Sequence, residues 1–144
     1  MTKRIIRIAL DVLALLILIG TILFLIVYWK HIPDMIPTHY NAKGEIDGWG
    51  GKASLLLLPV LSAFLYIMLS FSKMIRFRFL RKEIRVLAPE FMFPLLKLVL
   101  TASFAYMTIC GAAARPLGLW FLPVFLVLTL LPLIVFSVLV WQQR

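Results

Sequence analysis

Four long apolar runs divide the chain, at about 8–29, 53–72, 93–114 and 119–141. Each has roughly the 20 residues that an α-helix needs to cross the hydrocarbon core of a bilayer. The first run is too long for the core of a cleaved leader, and no small-x-small cleavage site follows it. In three of the runs, a distinctive set of positions recurs at spacings of three and four. The first carries Asp11, Ala14, Leu18, Thr21, Leu25 and Tyr28. The second carries Pro59, Ser62, Tyr66 and Ser70, and the third Lys97, Thr101, Phe104, Thr108, Gly111 and Arg115. These stripes predict faces turned toward neighbouring helices, because small and hydroxylic side chains permit close approach and interhelical hydrogen bonds. A translocation path would call for a central charge beside a broken helix, and no run combines the two. The fourth run is nearly all Leu, Val, Phe and Pro, with Pro123 and Pro132 placed to bend it.

One long polar stretch interrupts this pattern: "HIPDMIPTHYNAKGEIDGWGGK", residues 31–52. Pro33 and Pro37 push the residues before them out of helical conformation, so the first helix should end near His31. Asn41–Gly44 ("NAKG") reads as a four-residue turn with Gly44 free to take positive φ, and Asp47-Gly48 offers a second reversal. Thr38-His39-Tyr40 can then pair with Glu45-Ile46-Asp47 as a short hairpin. Gly48, Gly50 and Gly51 would let the chain lie flat before Lys52 opens the second span. This fold brings His39, Asn41 and Asp47 together near the membrane surface, with Tyr40 and Trp49 at headgroup depth.

Composition agrees with a lipid-solvated chain. Of its 144 residues, 63% are hydrophobic and 15% charged, where soluble domains carry about a quarter charged. Lys and Arg number 15 against 6 Asp and Glu. In a soluble protein that balance would point to nucleic acid; here it reads as the basic flanks of membrane helices, and no direct nucleic-acid partner is expected. Ten of the cations fall in the N-terminal tail (Lys3, Arg4, Arg7), the connection after the second run (Lys73, Arg76, Arg78, Arg81, Lys82, Arg85) and Arg144. Lys30, Lys43, Lys52 and Arg115 flank the other side. The positive-inside rule then gives a single all-α integral membrane domain over residues 1–144 with four transmembrane helices and both termini cytoplasmic. It has one ordered extracellular loop, 30–52, and a basic cytoplasmic loop, 73–92. In that basic loop Phe77, Leu80, Ile84 and Leu87 fall at helical spacing, which suits a helix lying on anionic headgroups or docking a cytoplasmic partner.

Ionisable groups inside spans require partners. For Asp11 the spacing offers Arg7 at i−4, and a contact with Lys97 fastening the first span to the third is the alternative. Lys97, one turn into its span, can snorkel to the cytoplasmic surface. Cys110, the single cysteine, reads as a small packing residue.

The polar loop admits three chemistries. His39 with Asp34, Glu45 or Asp47 could ligate a metal, although no H-x-x-x-H pair is present. His39 and a carboxylate could serve acid–base catalysis, but no nucleophile motif accompanies them. The third is a rigid, self-bonded cap that recognises something arriving from outside; a loop that only satisfies its own backbone is the plainer alternative. A small metal-dependent membrane enzyme or transporter component built on His39, Asp47 and Glu45 is thus the rival function. As a transporter it would need a homo-oligomer, since four spans leave little room for a path. No cofactor is expected.

The run of Pro33, Asp34, Ile36, Pro37, Thr38, His39, Tyr40, Asn41, Gly44, Asp47, Gly48, Trp49, Gly50 and Lys52 resembles the hallmark LPD-x-IP-T-H-aromatic-N-x-x-G-x-x-D-G-aromatic-G-x-K of the SdpI-like family, with Ile32 in place of the leading Leu. The resemblance covers about the first 70 residues. It implies a polytopic protein of the bacterial cytoplasmic membrane that confers immunity to a hydrophobic, membrane-active peptide toxin. It also implies a cytoplasmic repressor held at the membrane, for which the basic loop is the candidate dock. On this reading Asp34, Pro37, Thr38, His39, Tyr40, Asn41, Gly44, Asp47, Gly48, Trp49 and Lys52 form the ligand-binding motif, and Asp11 and Lys97 are the polar pair within the membrane.

Overall fold

The computed structural model describes residues 2–71 and 91–142. Helix α1 (Thr2–Tyr28) ends in a 3-10 turn, Trp29–His31, after which strand β1 (Met35–Tyr40) pairs with β2 (Ile46–Gly51). A second 3-10 turn, Lys52–Leu56, leads into α2 (Leu57–Phe71); α3 (Phe93–Ala112) and α4 (Phe121–Trp141) follow. The fold is mostly helical, and four helices are long and apolar enough to cross a membrane. It is not purely α, because the polar loop forms a two-stranded antiparallel sheet. The basic connection, with Phe77, Leu80, Ile84, Leu87 and the cations among them, lies outside the described residues.

Helix α3 is the centre of the bundle and packs against both α1 and α2, while α1 and α2 touch one another only sparingly. The polar stripes mark these contacts. Ala14, Leu18, Thr21 and Leu25 are buried on α1, Pro59 and Ser62 on α2, and Lys97, Thr101, Thr108 and Gly111 on α3. Tyr28 departs from its stripe and is exposed, its ring stacked on Phe24 (centroids 5.0 Å). The buried threonines satisfy their hydroxyls within their own helices, Thr21 on Ile17 O, Thr101 on Lys97 O and Thr108 on Phe104 O. That local bond is the inexpensive way to hold a hydroxyl in an apolar interior. Helix α4 lies at the edge against α3, where Phe121 stacks on Tyr106 (ring centroids 5.2 Å). Pro132 sits inside α4 and Pro123 in its first turn, where a missing N–H costs little.

Asp11 corrects the sequence reading. Its carboxylate forms an ion pair with Lys97 of α3, the long-range alternative, and Lys97 does not snorkel: its side chain is 1% exposed. Around the pair, Lys97 Nζ donates to Ser70 Oγ (3.3 Å) and lies 5.0 Å from the centroid of Tyr66. Tyr66 in turn donates its hydroxyl to the Asp11 carbonyl (3.1 Å). One polar cluster thus joins α1, α2 and α3 at the end of the bundle opposite the hairpin. A charge this buried is tolerable only when paired and hydrogen-bonded.

At the hairpin end, Leu25, Ile32, Ile36, Leu55 and Ala112 form an apolar cluster backed by Phe24, Trp29 and Leu58. Ile36 is the hairpin's anchor, 1% exposed, and its burial contributes about 2 kcal/mol. Beyond it α3 closes in a Schellman motif: Ala114 takes φ 51°, Arg115 N donates to Cys110 O and Ala114 N to Gly111 O. That reversal returns the chain toward α4 beneath the hairpin.

Candidate functional site

The hairpin is built from the residues singled out in the sequence, and several of them have a mechanical reason to be there. At its open end Lys52 clamps Asp34 twice. The backbone N–H donates to Asp34 O (2.9 Å) and the ammonium reaches the carboxylate (2.7 Å). The Lys52 hydrogen bond and charge hold the Asp34 carboxyl below the usual carboxylate range. At its closed end Asn41 organises the turn. Its side-chain oxygen accepts from Lys43 N and Glu45 N, and its amide donates to the Glu45 carboxylate. Gly44 takes φ +76°, as the NAKG turn requires.

Between the two ends the structure revises the strand reading. Pairing runs from Met35↔Gly51 to Tyr40↔Ile46, longer than the three-residue strands expected from the sequence. Asp47-Gly48 is not a second reversal. It sits inside β2 opposite His39, where the register slips, and Gly50 and Gly51 are strand residues. The glycines answer to neighbours across the ladder. A Cβ on Gly48 would lie 2.8 Å from His39 Cβ, and one on Gly50 would lie 2.7 Å from Thr38 Cγ2.

His39 and Asp47 do come together, with Nδ1 2.5 Å from Oδ1. Both are substantially exposed (72% and 41%), so the pair adds little stability. Its effect is to orient the ring. An ionised carboxylate only accepts, so Nδ1 carries the proton and Nε2 is left as the acceptor of the neutral imidazole. Glu45 is held by Asn41, and Asp34 is at the opposite end of the ladder. Among the described residues no three His, Cys, Asp or Glu side chains converge as a metal-ligand set. The rival metal arrangement of His39, Asp47 and Glu45 is therefore not assembled here.

The hairpin tip docks onto the α3–α4 connection. Leu117 N donates to Gly44 O (2.9 Å), and a Cβ on Gly44 would fall 2.5 Å from Gly118 O. Gly111 admits the other flank, since a Cβ there would meet Leu55 Cδ1 at 2.8 Å. Between the hairpin and the helices runs a groove of about 530 Å³. One wall is Thr38, His39, Tyr40, Asn41, Ala42 and Gly44; the other is Phe104, Met107, Leu117, Phe121, Leu122 and Phe125. A polar backbone wall thus faces an aromatic one. Trp49 stands apart on the exposed side of β2 (54%).

Tyr40 turns inward instead of lying wholly at the surface. Its hydroxyl is buried with no hydrogen-bond partner among the described residues, and burial, with Cys110 nearby, pushes its pKa up. A buried unpaired hydroxyl costs about 1–3 kcal/mol. Tyr40→Phe is therefore expected to stabilise the protein by about 1 kcal/mol in detergent melts. It should also flatten the alkaline limb of stability. The raised folded pKa means that stability is full below the ordinary value of 10.0 and falls as pH rises above it. A loss of stability in Tyr40→Phe would show that the hydroxyl has a partner.

The sequence motif marks one wall of the groove, whereas Leu117, Phe121, Leu122 and Phe125 of the opposing wall belong to no motif. A family model described as Domain of unknown function (DUF1648) matches residues 16–63, the latter part of α1, the hairpin and the start of α2. No curated protein and no solved structure matches the chain.

Proposed function

We propose that the chain is an SdpI-like immunity protein of the bacterial cytoplasmic membrane. Its hairpin faces outward, both termini are cytoplasmic, and the groove between hairpin and helices captures a lipophilic, membrane-active peptide before it assembles. The observation that carries this reading is the groove itself. A self-bonded hairpin supplies fixed polar groups beside His39 and Asn41, and Phe104, Phe121 and Phe125 supply an apolar floor. A peptide lying at a membrane interface presents that same pairing of polar backbone and apolar side chains. The Asp34–Lys52 clamp and the Asn41 turn support it further, because a preorganised site loses less entropy on binding. The resemblance to the SdpI-like hallmark supplies the class of ligand. The same resemblance supplies the proposed repressor, with the basic connection at 73–92 as its dock.

Expression in a sensitive host, followed by challenge with membrane-active peptides, tests this. His39→Ala, Asp47→Ala and Phe121→Ala are each expected to lower the protected dose about tenfold, the size of one lost contact of about 1.4 kcal/mol. Membrane insertion should be unchanged. Full protection by all three variants at normal expression would remove the groove from the account.

A further inference from the structure

A second groove lies on the other side of the bundle, between the hairpin-end halves of α1 and α2, with a volume of about 570 Å³. Its floor is Leu25 and Pro59, both buried, and its rims are Ile26 and Val60, 68% and 65% exposed. It runs from Ala63 at its deep end to Trp29 at the hairpin end. We infer that this groove is a binding site for one anionic phospholipid. An acyl chain lies between α1 and α2, and the phosphate sits at Lys30 and Lys52.

Three observations select that occupant. The lining side chains are apolar apart from the indole of Trp29, so water has almost nothing to bond to there. The groove is short. From Ile22 to Trp29 is about 10 Å of helix, within one leaflet of a hydrocarbon core about 30 Å thick. A second copy's helix would need a seam running most of that thickness, whereas one lipid chain needs only its own leaflet. The mouth is also charged. Lys52 Nζ stands 5.8 Å from the Trp29 ring centroid, and Lys30 is the next residue after Trp29. Two cations against the single carboxylate of Asp34 leave one net positive charge, which matches the net charge of an anionic phospholipid headgroup and not that of a zwitterionic one. Headgroup recognition by basic residues beside a helix end follows the same electrostatics.

The test uses the full chain reconstituted in vesicles of equal phosphatidylglycerol and phosphatidylcholine, then extracted in mild detergent for native mass spectrometry. One phosphatidylglycerol per chain should be retained. Ala63→Phe, or Val60→Trp at the rim, should lower the retained fraction about tenfold with helicity unchanged, and Lys30→Gln should erase the preference between the two lipids. Equal retention of both lipids by the wild-type chain overturns the assignment. So does retention that survives both groove-filling variants. Disulfide dimers formed in high yield by Ile26→Cys would instead assign the groove to a second copy.

Discussion

Replacing Lys97 with methionine is expected to destabilise the helix bundle by about 3 kcal/mol, the lower end of the range for breaking a buried pair. The lower end applies because Asp11 keeps 18% of its side-chain surface exposed, so its charge is not fully desolvated. Asp11→Asn alone should cost a similar amount, since among the described residues it leaves the Lys97 ammonium with Ser70 and the face of Tyr66. The double variant Asp11→Asn, Lys97→Met should recover about 2 kcal/mol relative to the sum of the singles. Reversible unfolding in detergent measures the cycle. If the single effects add to within about 0.5 kcal/mol, the pair does not fasten α1 to α3.

The second large effect is expected at Gly44. An alanine there must hold a left-handed backbone at φ +76° and place its Cβ 2.5 Å from Gly118 O. Strain of about 1–3 kcal/mol adds to a similar overpacking cost, and backbone cannot step aside as a side chain would. Gly44→Ala is therefore expected to lose about 3 kcal/mol, or to lift the hairpin tip off the α3–α4 connection and break the Leu117 N to Gly44 O bond. Gly44→Asn separates the two causes, because asparagine tolerates the left-handed region but still carries a Cβ. It should restore only the conformational part. A Gly44→Ala protein that melts within about 0.5 kcal/mol of wild type would mean that the tip does not dock.

These two positions also show what the sequence makes legible. Spans are set by runs of apolar residues long enough for a bilayer, and the buried stripes follow from helical spacing, so both could be read directly. The NAKG turn is legible for the same reason: Asn41 and Gly44 satisfy local rules within four residues. The partner of Asp11 was not. Arg7 is near in sequence, but the central place of α3 between α1 and α2 is a long-range fact that brings Lys97 closer in space. Strand β2 is hard to read because Gly48, Gly50 and Gly51 lower strand propensity. Those at 48 and 50 are there to clear His39 and Thr38, contacts that exist only once the ladder forms. The far wall of the hairpin groove comes from residues roughly 60 to 90 positions away, and apart from Phe104 in the α3 stripe it leaves no local pattern to read.

The whole functional account depends on which side of the membrane the hairpin occupies. Lys43 is at the exposed turn, and the native Cys110 is buried and serves as the blank. A Lys43→Cys protein treated in intact cells with a membrane-impermeant maleimide is predicted to label fully, with no gain on permeabilisation. Labelling that appears only after the membrane is opened would put the hairpin in the cytoplasm and contradict capture of a peptide arriving from outside.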